Sequence, residues 1–347
     1  MSKLRKILYP FSLLYGEITK IRNKAYDNEV LTSVSYDFPI IAVGNLSVGG
    51  TGKTPQIEYL IRLLQEDYKI AVLSRGYKRK TKGFQIAGEN STAETIGDEP
   101  LQYYRKFKDI VVAVDADRVH GIDELQKFAP QPEVILLDDA FQHRKVQAGL
   151  YILLTPYDNL YVDDTVLPAG DLREKKAGAR RAQVIVVSKS PEDLSEESQF
   201  KTAQKLKPEL DQTVFFSTID YADRVISRSG EKNIKDINDY KVLLVTGIAK
   251  TKPLTNFLED NKIDFKHLDF PDHHDFSDKD MDSIFKEFEK LDYEKRIILT
   301  TEKDYVRNFE TLENEVYYLP IKTKFIANEK DFNQLIKDYV RKSIRNS

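Results

Sequence analysis

A short apolar run, a glycine-rich turn and Gly-Lys-Thr opening a helical pattern constrain this chain more than any other stretch. Residues 38–55 read FPIIAVGNLSVGGTGKTP. Ile40 to Val43 is apolar and rich in β-branched residues, like a buried strand. Ile57, Leu60, Ile61 and Leu64 then recur on one face of a helix. Strand, glycine loop and helix in that order are the setting of a phosphate-binding loop. Glycines let backbone N–H groups face phosphate oxygens, and the helix N-terminus adds a favourable dipole. Ser47, Val48, Gly49, Gly50, Thr51, Gly52, Lys53 and Thr54 are the expected nucleotide contacts. Lys53 would reach the β- and γ-phosphates of ATP, and the Thr54 hydroxyl would bind Mg2+. The general pattern has glycine five residues before Gly52, where this chain has Ser47. The plain alternative is a glycine turn that binds nothing.

With 347 residues the chain is long enough for two α/β domains with sizeable cores. A formal net charge of −3 gives no global attraction to nucleic acid. The absence of cysteine excludes disulfides and thiolate metal sites. No stretch approaches the roughly 18 apolar residues of a membrane span.

The first residues carry a different signal. Leu4, Ile7, Leu8, Phe11, Leu14, Tyr15, Ile18 and Ile21 recur at helical spacing, flanked by Lys3, Arg5, Lys6, Lys20, Arg22 and Lys24. Pro10 either starts or kinks this helix. No small-residue cleavage site follows, so a signal peptide is not expected. The stripe reads equally as a helix lying in a membrane interface and as a helix packed on its own domain.

Further strands are expected at Ile70–Leu73, Ile110–Val114, Val134–Leu137, Tyr151–Leu154 and Val184–Val187. Their alternation with helical patterns predicts an α/β fold: a P-loop NTPase-type parallel sheet with helices on both faces. Residues 78–97 are polar and read as a loop. Gly97-Asp98-Glu99-Pro100 opens a helix, with the proline and acids suited to its first turn. A smaller second α/β domain restarts at Val242–Thr246. The expected division is an N-terminal helix over 1–27, a P-loop domain over 28–213, a linker over 214–240, the smaller domain over 241–315, and a return strand with a C-terminal helix over 316–347. Val316–Leu319 is expected to pair with Val214–Ile219 as a two-stranded linker.

Asp138-Asp139 ends an apolar strand downstream of the loop, where a carboxylate holds Mg2+ or its waters in this class of site. Phosphoryl transfer also needs a base and cations for the developing charge. Asp98 is a base candidate, although alone it could be a helix-capping acid. In PDHHD, at residues 271–275, a base-supporting histidine is a better reading than a metal site, because no spacing sets up a third ligand. Lys303 either lines the cleft or is a surface lysine.

Seven segments, GNLSVGGTGKTP, SRGY, GDEP, DDAFQHR, LPAGDLRE, the PDHH turn and TTEKD, occur in the order seen in the tetraacyldisaccharide 4'-kinase family. The resemblance runs from about Phe38 to Leu319. Ser47 is similar to the family's own loop, and Ala140 stands where the family usually has glycine. The resemblance implies transfer of the ATP γ-phosphate to the 4'-hydroxyl of an acylated glucosamine disaccharide 1-phosphate in lipid A biosynthesis. It implies Asp98 as base with His273 hydrogen-bonded to it, Arg173 as a cation at the reacting phosphates, and Mg2+ at Thr54 and the Asp138-Asp139 pair. It implies a peripheral protein on the cytoplasmic face of the inner membrane, attached through its first helix; a monomer is expected. Two rivals remain: a nucleotide-switch ATPase at the membrane surface, whose loop usually carries a lysine near Val48, and a non-catalytic membrane-interaction protein with a degenerate loop. ATP turnover with and without acceptor lipid separates the first, and the intact Lys53, Thr54 and Asp138 argue against the second.

Overall fold

The computed structural model describes residues 7–272, 274–291, 294–310, 312 and 316–346. Helix α1 (Tyr9–Asp27) comes first, with Pro10 in its opening turn, so the proline starts the helix. The strands that follow are β1 (Ile40–Asn45), β2 (Ile70–Ser74), β3 (Val111–Val114), β4 (Val134–Asp138), β5 (Leu150–Pro156), β6 (Val184–Ser188) and β7 (Thr213–Tyr221). They run parallel in the order β7-β6-β5-β1-β4-β2-β3. β1, β2, β4 and β6 are buried along their whole length, because helices cover both faces of the sheet. Helices α2 (Lys53–Leu64), α3 (Asp98–Lys106) and α4 (Arg118–Gln126) each follow a strand of this sheet. The register sets Val43 of β1 beside Asp138 of β4, so the acid pair reaches the sheet end where the glycine loop begins. Ligands of open α/β sheets bind at such strand C-termini.

Both edges are closed by antiparallel strands. Gln85–Ile86 lies on β3, inside the stretch the sequence suggested was only loop. Ile321–Phe325 lies on β7. The second sheet contains β8 (Lys241–Thr246), β9 (Phe265–Asp269), β10 (Arg296–Thr301) and β11 (Val316–Leu319), extended by a hairpin of Arg224–Ser227 and Gly230–Asn233.

Two expectations need correction here. The strand paired with β7 is Ile321–Phe325, and Val316–Leu319 instead pairs parallel with β10. The burial patterns give the reason: β11 is nearly continuous in burial, as a covered parallel strand must be, whereas Ile321–Phe325 alternates like an edge. Part of the stretch read as a polar linker, residues 224–233, is sheet: Arg224–Ser227 pairs with β11 and with Gly230–Asn233. The two sheets share an apolar cluster in which Leu101 and Val114 meet Leu243, Val245 and Ile298. The C-terminal helix (Glu329–Asn346) returns to the first sheet and packs Phe332, Ile336 and Val340 into its core.

Candidate active site

The loop between β1 and α2 is pre-shaped. Gly52 stands at φ +88°, a left-handed conformation that side-chain-bearing residues rarely adopt. Asn45 Nδ2 donates to Thr51 Oγ1 at 2.9 Å, within the loop. From the end of β6, Ser188 Oγ donates to the Thr51 carbonyl and Lys189 Nζ to the Gly50 carbonyl, both at 2.7 Å. Val48 N–H donates to Asp171 O at 2.8 Å and Arg173 N–H to Leu46 O at 2.7 Å, so the 170–174 loop is stitched to the glycine loop. Gly44 is needed for a close approach: a Cβ there would stand 2.6 Å from Phe141 Cβ.

Asp138 and Asp139 adjoin in sequence but differ in role. Asp138 is 4% exposed. Its Oδ2 accepts from Ser74 Oγ and from the Tyr103 hydroxyl, each at 3.3 Å. Its Oδ1 has no hydrogen-bond partner among the described residues. Burial, then the neighbouring Asp139 and Glu99, push its carboxyl up to about 6 against the pull of Lys53 and Arg118. Asp139 takes φ +49°, which turns its side chain toward two cations. Lys53 Nζ lies 3.6 Å from Asp139 Oδ1, and Arg173 Nη1 donates at 3.0 Å to both oxygens. Burial works against its charge, yet Lys53 and Arg173 outweigh it and hold the carboxyl below its ordinary value.

Asp98 is the first residue of α3, with Arg307 Nε 3.8 Å from Oδ2. Arg307 Nη2 also reaches Asp275 at 2.5 Å, so one arginine links the start of α3 to the 271–275 turn. His273 lies outside the described residues. The adjacent His274 faces elsewhere, with Nε2 3.1 Å from Asp280. Lys303 pairs with Glu99 at 3.3 Å, joining the segment after β10 to α3.

Sequence reasoning missed four side chains here. Arg118 is 1% exposed beneath the acid pair, donating to the carbonyls of Asp115 (2.7 Å) and Asp138 (3.2 Å). Tyr103 is buried with its hydroxyl on Asp138. Glu174 is buried and accepts from both terminal nitrogens of Arg181, at 2.7 and 3.0 Å. Arg307 was overlooked beside Lys303. Only Tyr103 left a usable signal, since a buried tyrosine on an amphipathic helix must find its hydroxyl a partner.

Comparison with known proteins shows the family. The tetraacyldisaccharide-1-P 4'-kinase family profile matches residues 4–341. The chain belongs to this family. It is 52% identical to the tetraacyldisaccharide 4'-kinase of Flavobacterium johnsoniae, with 99% of each chain covered. It is 46% identical to that of Phocaeicola vulgatus, covering 99% of this chain and 98% of the relative. The crystal structure of LpxK from Aquifex aeolicus in complex with ATP superposes with a TM-score of 0.78 at 32% identity, covering 97% of this chain and 99% of that one. The expected P-loop α/β architecture is therefore the one this family adopts.

Proposed function

We propose that this chain transfers the γ-phosphoryl group of ATP to the 4'-hydroxyl of tetraacyldisaccharide 1-phosphate, a step of lipid A biosynthesis. The observation that carries the reading is the junction of Lys53, Arg173 and Asp139 beside a glycine loop whose outward carbonyls are already pinned. In the reaction the bond from the γ-phosphorus to the β,γ-bridging oxygen breaks and a bond to O4' forms. The electron pair leaves with ADP, and the 4'-hydroxyl proton passes to Asp98. Lys53 and Arg173 face the charge that builds on the transferring group. Asp139 keeps both cations in place and leaves Asp138 free for a different task.

The donors suit Mg2+. No group of three or more His, Cys, Asp or Glu able to hold a metal occurs among the described residues, so a dedicated protein cage is not on offer. Mg2+ at nucleotide sites takes one or two carboxylates and completes its shell with water and phosphates. Thr54 and the unpartnered Oδ1 of Asp138 would hold it, and it supplies neutralisation of the phosphate charge when bound. His273 is assigned to support Asp98 on the family resemblance alone.

The acceptor is acylated, so the enzyme must work at a bilayer surface, and α1 supports this. Its inward face is Ser12 and Gly16, while its apolar stripe points out: Phe11 is 62%, Leu14 63% and Ile21 65% exposed. That polarity is reversed from a helix packed on its own core. No described helix is long and apolar enough to cross a membrane. We assign the chain to the cytoplasmic face of the inner membrane as a peripheral protein. The test measures ADP release with and without disaccharide 1-phosphate acceptor in mixed micelles. The proposal expects release to depend on acceptor; acceptor-independent turnover would favour a nucleotide switch.

A further inference from the structure

The segment 169–175 is held between the glycine loop and α1. Asp171 O and Arg173 N–H bond to the glycine-loop side. The other contacts go to the membrane-facing helix. Ser12 Oγ accepts from Ala169 N–H at 2.8 Å. The Tyr15 hydroxyl donates to Arg173 O at 3.0 Å. Asn23 Nδ2 donates to Glu174 Oε2 at 2.6 Å. Glu17 pairs with Lys175. Gly16 lets the helix sit close, since a Cβ there would stand 3.2 Å from the Lys175 stem.

Glu174 ties these contacts to the nucleotide side. Besides Asn23 and Arg181 it accepts from Gln142 Nε2 at 3.2 Å, and the same nitrogen donates to Asn45 O at 2.7 Å, at the end of β1. A carboxylate buried to this degree is costly unless its oxygens are fully engaged. An anchor helix needs only its outward stripe. α1 also bonds the segment that carries the arginine paired with Asp139: Ser12 at Ala169, Tyr15 at the Arg173 carbonyl and Asn23 at the flanking acid Glu174.

We propose that α1 is a wall of the phosphoryl-transfer site as well as its membrane contact, and that Tyr15 and Asn23 are positioning residues that set Arg173 for the reaction. This rests on the reading of Arg173 given above. The bilayer-seated helix and the phosphate-facing arginine thereby share one rigid connection, so the site is complete only when α1 is docked.

The test compares Tyr15→Phe, Asn23→Ala, Arg173→Ala and the combinations, each in the full chain. Neither Tyr15→Phe nor Asn23→Ala removes an apolar group from the outward stripe. Each single change should lower kcat about three- to tenfold, the scale of one lost hydrogen bond, with KM for ATP and vesicle sedimentation within about twofold of the parent. In the Arg173→Ala background the same changes should have almost no further effect on kcat, because their route to the reaction has been cut. Fully multiplicative losses, or losses matched by lower melting temperatures, mean the contacts only support the fold and overturn the proposal. Unchanged kcat for Tyr15→Phe and Asn23→Ala beside a slow Arg173→Ala overturns it while leaving the reading of Arg173 standing. A fast Arg173→Ala enzyme overturns both.

Discussion

Asp138 and Asp139 are indistinguishable as letters, and the fold separates them through one backbone angle. Asp138 continues β4, is buried, and keeps one oxygen without a partner among the described residues; Asp139 turns into φ +49° and meets Lys53 and Arg173. Asp138→Asn should therefore raise the Mg2+ concentration needed for half-maximal ATP turnover about tenfold or more, by removing a carboxylate from a divalent ion. Asp139→Asn should lower kcat with a smaller change in Mg2+ requirement, since it releases two cations. A Mg2+ titration of both variants checks this; equal shifts in the two would contradict the division of labour. Lys53→Ala should cut turnover about a thousandfold, as loss of a charge-stabilising group does. Circular dichroism should show the fold intact, because Lys53 faces the ligand side. The sequence named Lys53, Thr54, Asp138 and Asp139 because strand-end and loop positions are readable one residue at a time. Arg118 and Glu174 were not readable, because what ties each to the site is a partner in another segment, 20 and 151 residues away at Asp138 and Asn23.

Among the elements, α1 shows the limit of periodicity. The stripe of Phe11, Leu14, Ile18 and Ile21 was legible, but its direction was not, since spacing alone does not say which face meets the protein. The direction follows from what the body offers: polar backbone groups of the 169–174 loop, which Ser12 and Tyr15 can bond and leucines cannot. Phe11→Asp with Leu14→Asp should abolish sedimentation with anionic vesicles at any salt, as each large side chain contributes about 1.5 to 3 kcal/mol at full burial in the interface. The melting temperature without lipid should be unchanged, since both side chains are already in solvent. A large drop in that temperature with normal vesicle binding would contradict the outward-facing stripe. The β7 partner was misread for a related reason. Only Pro320 separates Val316–Leu319 from Ile321–Phe325, and the sequence reading took the first for the strand that the second supplies; their differing burial goes with the sheet each joins.

At the scale of the molecule the two sheets also meet through a buried ionic cluster. Lys106 of α3 stands 2.8 Å from Glu58 of α2 and 2.9 Å from Glu302, which follows β10, and Arg62 pairs with Glu58 at 2.8 Å. Burial, then Glu58, pushes the Glu302 carboxyl up to about 7 despite Lys106 and Arg62; the Tyr318 phenol also faces it and is itself held above its ordinary value, by burial first. Below the ordinary glutamate value of 4.5 both folded and unfolded chains carry the proton. As pH rises toward 7 the unfolded chain ionises first, so this group's contribution to stability falls. Glu302→Gln should raise the melting temperature by a few degrees at pH 8 and by little at pH 5. Equal changes at the two pH values would argue that the carboxyl ionises normally. The parallel sheet and its glycine loop were legible because each rests on contiguous residues. This junction was not, since it assembles glutamates 244 positions apart around one lysine.

ATP's γ-phosphate is expected to end on the 4'-oxygen of a lipid-bound disaccharide. The direct measurement incubates the full chain with Mg2+, ATP labelled in its γ-phosphate and tetraacyldisaccharide 1-phosphate in mixed micelles, then locates the label on the product. The account predicts one labelled phosphate per disaccharide, on the 4'-oxygen, with loss of the signal in Lys53→Ala. Label appearing only as inorganic phosphate, or on another hydroxyl of the sugar, would contradict it.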